Sequence, residues 1–94
     1  MNKNVLITGA SSGLGAALAA EYAAPGVTLF LSGRDEGRLE EAAKAARDKG
    51  AQVFTKAIDV TREAEMREWI MATDRDHPLD LVIANAGISA GTGK

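Results

Sequence analysis

The glycine-rich segment TGASSGLG, which ends at Gly15, is the part of the sequence best suited to do chemistry. Gly9 allows a sharp turn at the end of a strand, Gly13 leaves room for a phosphate beside the backbone, and Gly15 allows the next helix to pack closely. The N–H groups of such a loop, together with the helix dipole, favour an anion. The hydroxyl groups of Ser11 and Ser12 suit phosphate or ribose oxygens. The segment therefore predicts a phosphate-binding turn between a strand and a helix.

A turn without a ligand and a P-loop are the other interpretations of this segment. A glycine-rich turn can also join a strand to a helix where no ligand binds. The spacing is Gly-x-x-x-Gly-x-Gly, with three residues between the first two glycines instead of the single residue of the commonest dinucleotide-binding motif. The segment also lacks the Gly-Lys-Ser/Thr ending of a P-loop, which disfavours hydrolysis of nucleoside triphosphates. Its meaning therefore depends on the elements around it.

Four short apolar runs predict the strands that position this turn. They are rich in Val, Ile, Leu and Phe, and they are bounded by Gly, Pro or polar residues. The runs are Val5 to Thr8, Val27 to Ser32, Val53 to Ile58 and Leu79 to Ala84. Because polar residues do not alternate with apolar ones, we expect a parallel sheet that helices cover on both faces.

Three segments between these runs have helical spacing. Asp35 and Thr61 are expected to cap the second and third helices, and Gly50 to adopt a left-handed conformation after the second. The predicted helices run from Gly13 to Ala24, from about Asp35 to Lys49, and from Thr61 until Pro78. Their apolar faces are predicted to contain Leu14, Ala17, Leu18 and Tyr22, then Leu39, Ala42, Ala43 and Ala46, then Met66, Trp69 and Ile70.

Polar or glycine residues follow each predicted strand, at the sheet edge where open α/β proteins bind ligands. The glycine-rich segment follows the first strand, and the others are followed by Arg34, by Asp59 and Val60, and by Asn85, Ala86 and Gly87. With these four matches, the chain resembles the N-terminal, cofactor-binding half of a short-chain dehydrogenase/reductase of the classical type. The resemblance covers essentially all 94 residues.

The resemblance implies a cofactor role for each of these residues. The pyrophosphate and the adenosine ribose would be surrounded by Gly9, Ser11, Ser12, Gly13, Leu14 and Gly15. Asp59 and Val60 would hold the adenine. The cofactor ribose would be flanked by Asn85, Ala86 and Gly87, and Thr8 would hydrogen-bond toward that segment. A nicotinamide dinucleotide is the cofactor that the resemblance implies.

The residue after the second strand bears on which dinucleotide binds. A carboxylate at this point recognises a 2′-hydroxyl, whereas a guanidinium attracts a 2′-phosphate. The strand ends Leu-Ser-Gly before Arg34, without an acid. We therefore favour NADP(H) over NAD(H). The alternative is that Arg34 is a solvated loop residue neutralised by its acidic neighbours, and the charged run Asp35 to Glu41 is interpreted as a solvated helix face.

The order of elements predicts an α/β fold, a three-layer Rossmann-type parallel sheet with strand order 3-2-1-4. The first two crossovers should place their helices on one face, and the third should place its helix on the other. We expect this to be an incomplete half of a doubly wound domain. Much of the second face and the edge of the fourth strand would then lack cover, which predicts self-association, such as a homo-oligomer, or marginal stability.

Composition excludes several classes of protein. Ninety-four residues suit a single domain, truncated relative to the family's full length, and a net charge of −2 gives no basic face for nucleic acid. With no Cys and one His, no metal site is expected. The apolar runs are too short for a membrane span or a signal peptide, so we expect a cytoplasmic protein.

The residues that would perform the family's reaction cannot be identified in this chain. That reaction is hydride transfer between a nicotinamide and a carbonyl or alcohol carbon, with a Tyr acting as acid and base and a Lys four residues later. The only Tyr is Tyr22, in the first helix, and four residues later stands Gly26. No catalytic residue is assigned, and we expect this chain alone to be inactive. The alternative is a stand-alone, non-catalytic nucleotide-binding or interaction module.

Overall fold

The computed structural model describes residues 2–59 and 61–85. Within them, four parallel strands alternate with three helices in the predicted order. The elements are β1 (Lys3–Thr8), α1 (Gly13–Tyr22), β2 (Val27–Gly33), α2 (Glu36–Asp48), β3 (Gln52–Ala57), α3 (Glu63–Asp76) and β4 (Leu81–Ala84). The strand order is β3-β2-β1-β4, which confirms the prediction. None of the helices in the described ranges is long and apolar enough to cross a membrane.

Paired residues on neighbouring strands form rows of side chains, and successive rows lie on opposite faces of the sheet. One row runs across all four strands through Leu81, Val5, Leu29 and Val53. This row belongs to the main hydrophobic core, together with residues of α1 and α2. These two helices therefore form one outer layer of the fold.

Small residues bring α1 and α2 close to the sheet. The predicted face of α2 is confirmed, because Leu39, Ala42, Ala43 and Ala46 are all buried. The predicted face of α1 is partly wrong: Leu14 and Ala17 are exposed, while Gly15 and Ala19 are buried. The helix turns its smallest side chains toward the sheet because they permit the closest approach of the two backbones.

The opposite face carries the row Val82, Leu6, Phe30 and Phe54. Here α3 covers the middle of the sheet, where Leu6 is fully buried, whereas Phe54 and Val82 are 49% and 44% exposed. A helix is about 10 Å wide and strands lie about 4.8 Å apart, so one helix covers about two strands of four. Cover on both faces is therefore limited to the two central strands, and the exposure of the outer two agrees with the expectation that much of the second face lacks cover.

The ends of α2 are formed as predicted. The Asp35 side chain accepts a hydrogen bond from the Arg38 N–H at 3.1 Å, which caps the helix start. After the helix, Gly50 has φ +98°, the left-handed conformation that glycine adopts without a steric penalty. The sequence therefore defines both ends of this helix locally.

The predicted cap of α3 is wrong. Arg62 occupies the N-cap position and makes no side-chain capping bond. The Thr61 hydroxyl instead donates to Asp59 Oδ1 at 2.9 Å. The Thr61 hydroxyl is thus bonded to the loop before α3, and no N–H of the helix start donates to it in the described chain.

Several boundaries lie one or two residues from their predicted positions, and two of these differences have a local cause. Helix α1 ends at Tyr22 instead of Ala24, because a residue before proline disfavours the helical conformation and Pro25 follows. Strand β4 begins at Leu81 instead of Leu79, since the Leu79 N–H donates to Asp74 Oδ1 at 2.9 Å and lies in the preceding turn. Neither change moves the carboxyl edge of the sheet.

Candidate cofactor-binding site

The three glycines of the loop between β1 and α1 occupy three different environments. Gly9 has φ +68°, and a Cβ there would collide with the Asn85 carbonyl oxygen. A Cβ on Gly15 would collide with the Gly9 carbonyl oxygen and would lie 2.8 Å from Ala10 Cα. A Cβ on Gly13 would meet no described atom within 4 Å. The predicted sharp turn at Gly9 and close packing at Gly15 are confirmed, and the backbone at Gly13 faces open space.

Ser12 fixes the shape of the turn with its side chain. Its hydroxyl donates to the Gly9 carbonyl oxygen at 2.9 Å and accepts from the Gly15 N–H at 3.1 Å, which makes it the N-cap of α1. A serine hydroxyl has one hydrogen to donate. In this geometry that hydrogen serves the turn, so Ser12 acts through the shape of the loop more than as a donor to a ligand.

Backbone N–H groups at the start of α1 remain free. Within the described ranges, no group accepts a hydrogen bond from the N–H of Ser11, Gly13 or Leu14. The first turn of α1 contains no acidic residue. The free donors, the helix dipole and the space beside Gly13 within the described chain are features that favour an anion.

Asn85 connects the end of β4 to the glycine turn. Its side-chain amide lies 3.2 Å from the Gly9 carbonyl oxygen and 3.1 Å from Ser12 Oγ, donating to both. The Thr8 hydroxyl donates to the Asn85 carbonyl oxygen at 3.2 Å, as predicted. The three other predicted site residues near Asn85 and Asp59 lie outside the described residues; they are Val60, Ala86 and Gly87.

Arg34 and Asp59 stand at the ends of β2 and β3. The Arg34 side chain is 81% exposed, and its Nη1 lies 3.9 Å from Asp59 Oδ2. The other carboxylate oxygen of Asp59 accepts from the Thr61 N–H at 3.0 Å and from its hydroxyl. These two bonds lower the pKa of Asp59, and the positive charges of Arg34 and Arg62 act in the same direction. Asp59 is therefore a carboxylate at neutral pH.

A cleft of about 320 Å³ lies between the glycine turn and α2. Its walls include Ser11, Ser12 and Gly13 on one side and Arg38 and Glu41 on the other. The sequence pattern places Arg38 on a solvated helix face and does not predict this position in the cleft. The available signal was its place in the first turn of the helix after the second strand, on the same edge as the glycine turn.

The predicted site residues that the structure describes lie together at the carboxyl edge of the sheet. The glycine turn follows β1, and Arg34, Asp59 and Asn85 follow the other three strands. Tyr22 lies at the far end of α1, about 14 Å along the helix from Gly13 at 1.5 Å per residue. The edge thus brings free N–H groups and polar side chains together, and Tyr22 is remote from it.

Comparison with known proteins gives concordant matches. A family model described as short chain dehydrogenase matches residues 3–94. An uncharacterised oxidoreductase of Staphylococcus saprophyticus is 42% identical over 89 residues, which is 93% of this chain and 38% of that protein. The chain therefore spans well under half the length of this relative.

Solved structures share the fold. A short-chain dehydrogenase from Sphingobium yanoikuyae in complex with NADPH matches with a TM-score of 0.79 and 38% identity, over 98% of this chain and 37% of that chain. An NAD+-bound xylitol dehydrogenase matches with a TM-score of 0.75 and 30% identity, over 85% and 31% of the two chains. The family model, the sequence relative, the common fold and the glycine turn at the carboxyl edge agree: the chain belongs to the short chain dehydrogenase family.

Proposed function

We propose that this chain binds NADP(H) and forms the cofactor-binding part of an oxidoreductase. In a longer form of the protein, the bound nicotinamide would exchange a hydride with a carbonyl or alcohol carbon of a small substrate. The observation that carries the proposal is the set of free N–H groups at Ser11, Gly13 and Leu14, beside open space at Gly13. Membership of the short chain dehydrogenase family supports a nicotinamide dinucleotide as the anion that these N–H groups would bind.

The residues present fit the dinucleotide in the following way. The pyrophosphate would accept hydrogen bonds from the N–H groups of Gly13 and Leu14, because a side chain is absent at Gly13 and a helix dipole lies behind it. The adenine would lie near Asp59, whose carboxylate accepts hydrogen bonds from an amino group. Gly9 and Asn85 hold the turn in shape through the bond between the Asn85 amide and the Gly9 carbonyl oxygen.

The preference for NADP(H) over NAD(H) rests on charge at the end of β2. Gly33 is followed by Arg34, and the nearest acid to that guanidinium in the described chain is Asp59, at 3.9 Å. An exposed ion pair of this kind contributes about 0–1 kcal/mol, so a 2′-phosphate can displace it. A guanidinium binds a phosphate with charge-assisted hydrogen bonds and gains no such bond from a 2′-hydroxyl.

The proposal also includes that the chain is a single domain and that it does not catalyse the reaction by itself. The chain would bind cofactor as one folded unit over residues 1–94, and would transfer no hydride by itself. Tyr22 supports this, since it lies at the end of α1 remote from the glycine turn and has Gly26 four residues later. An assay of NADPH oxidation with a panel of small ketones tests this part, and turnover by the 94-residue chain would contradict it.

Titration of the purified chain with NADPH and with NADH tests the binding proposal. Enhancement of nicotinamide fluorescence reports the bound fraction, and NADPH should bind at least about tenfold more tightly, equal to about 1.4 kcal/mol. Arg34→Gln should reduce this preference, while Gly13→Ala should weaken the binding of both cofactors. Absence of binding, or a preference for NADH, would overturn the proposal.

A further inference from the structure

The cleft between the glycine turn and α2 contains a second cation that the proposed function does not use. Arg38 lines this cleft opposite Ser11, Ser12 and Gly13. It stands on the first turn of α2, and its N–H is tied to the Asp35 side chain by the helix cap. The backbone that carries Arg38 is therefore held in place beside the anion-binding turn.

The two arginines near the end of β2 face different neighbours. In the order β3-β2-β1-β4, the end of β2 lies between β3, which leads to Asp59, and β1, which leads to the glycine turn. Arg34 approaches Asp59, on the β3 side. Arg38 lines the cleft with the glycine turn, on the β1 side. A phosphate bound between the glycine turn and the end of β2 would therefore have Arg34 on its β3 side and Arg38 on its β1 side.

Asp35 lies near the Arg38 guanidinium but does not occupy its two terminal nitrogens. Asp35 Oδ2 lies 4.0 Å from Arg38 Nε, and both side chains are exposed. In the described ranges neither terminal nitrogen of Arg38 has a hydrogen-bond partner. The two terminal nitrogens are the part of the side chain that can bind a phosphate through two parallel bonds.

Ser11 supplies a donor on the opposite wall. Its side chain covers Gly33, since a Cβ on Gly33 would lie 2.7 Å from Ser11 Oγ. No described group is hydrogen-bonded to that hydroxyl, in contrast to the hydroxyl of Ser12. An adenosine ribose is recognised at the end of the second strand, where Gly33 lies. A phosphate on that ribose is thereby placed between Ser11 and the α2 wall.

We propose that Arg38 is a specificity-determining residue that binds the 2′-phosphate of NADPH across this cleft from Ser11. The inference rests on the proposed function and adds to it a second cation, on α2, independent of Arg34. Glu41 lies on the same wall and weakens the attraction, because its carboxylate repels the phosphate.

Binding of NADPH and NADH to the variant Arg38→Gln tests the inference. The affinity for NADPH should fall about five- to tenfold, since one charge-assisted contact is lost at an exposed site, and the affinity for NADH should not change. Arg75→Gln is the matched control: it removes the same charge from the last turn of α3, at the opposite edge of the sheet, and should change neither affinity. Glu41→Gln should strengthen NADPH binding about twofold.

The outcomes separate this inference from the proposed function. If the unmodified chain prefers NADPH and Arg38→Gln does not weaken it, the inference is wrong and the proposed function stands. Equal weakening of NADPH and NADH would assign Arg38 to the pyrophosphate and also overturn the inference. If the unmodified chain binds neither cofactor, both proposals fail together. Circular dichroism of each variant verifies that the fold is retained.

Discussion

Replacing Gly15 by Ala tests whether close packing at the glycine turn holds α1 against the sheet. A methyl group at this position would collide with the Gly9 carbonyl oxygen and would lie 2.8 Å from both Ala10 Cα and the Asn85 amide nitrogen. Two of these neighbours are backbone atoms, so they cannot rotate away as a flexible side chain would. The helix or the turn must move to admit the methyl group.

Two opposing effects determine the magnitude. Ala is preferred over Gly in a helix by up to about 1 kcal/mol, so without a collision the substitution would stabilise the chain. Overpacking costs about 1–3 kcal/mol, and a weakened bond from Asn85 to Gly9 adds about 1 kcal/mol. The expected result is a loss of about 1–3 kcal/mol. For a chain of this size each kcal/mol changes Tm by about 4–8 °C, so Tm should fall by about 5–20 °C.

Thermal unfolding followed by circular dichroism measures this change, and Gly13→Ala is the matched control. Both glycines lie in the first turn of α1, but a methyl group on Gly13 meets no described atom within 4 Å. The control should leave stability unchanged or raise it by up to about 1 kcal/mol, because no collision opposes the helical preference for Ala. It should nevertheless weaken NADPH binding, because the methyl group occupies the space proposed for the pyrophosphate. A Tm for Gly15→Ala equal to that of the control, or above that of the unmodified chain, would refute the reasoning.

Three further predictions follow from other contacts. Asn85→Ala removes the amide bonds to Gly9 and Ser12 and should cost about 1–2 kcal/mol in thermal unfolding; an unchanged Tm would show that these bonds do not hold the turn. The lowered pKa of Asp59 stabilises the fold above the usual carboxyl pKa, and this stabilisation is lost as pH falls through the lowered value. Asp59→Asn should therefore flatten the decline of Tm as the pH falls below the usual carboxyl pKa, and identical slopes would contradict this. Val82→Lys places a charge on the exposed part of the α3 face and should reduce self-association in sedimentation velocity; a monomeric unmodified chain at micromolar concentration would exclude the proposed association.

Features determined by neighbouring residues were predictable from the sequence. The cap at Asp35, the left-handed Gly50 and the buried face of α2 all depend on residues within a few positions of one another. The strand order followed from the handedness of the crossovers between short elements. The placement of the glycine turn, Arg34, Asp59 and Asn85 at one edge followed in turn from that order.

Features determined by distant or competing contacts were not predictable. The buried face of α1 was misassigned because Gly15 packs against Gly9 and Asn85, and Asn85 is remote in the sequence. Thr61 was expected to cap α3, but its hydroxyl donates to Asp59 in the preceding loop and Arg62 occupies the N-cap position. Which partner such a hydroxyl takes is decided by local geometry that residue types alone do not reveal.

The position of Arg38 could not be predicted from the sequence because it depends on the packing of two helices. Its charge was visible, but its place in the cleft depends on how α1 and α2 pack together. A charged run on a helix is usually solvated, so composition favoured that interpretation. Only the packed helices show which of these charges faces the glycine turn.

The bond between the Asn85 amide and the Gly9 carbonyl oxygen joins residues 76 positions apart. The glycine turn after β1 is therefore completed by Asn85, which follows β4. Closing so long a loop has an entropic cost that must be met before the contact forms. The segment up to Gly15 can therefore order locally before it has its final shape. The phosphate-binding turn would then form late in folding, when β4 pairs with β1. Binding of a phosphate would therefore indicate that the sheet is assembled.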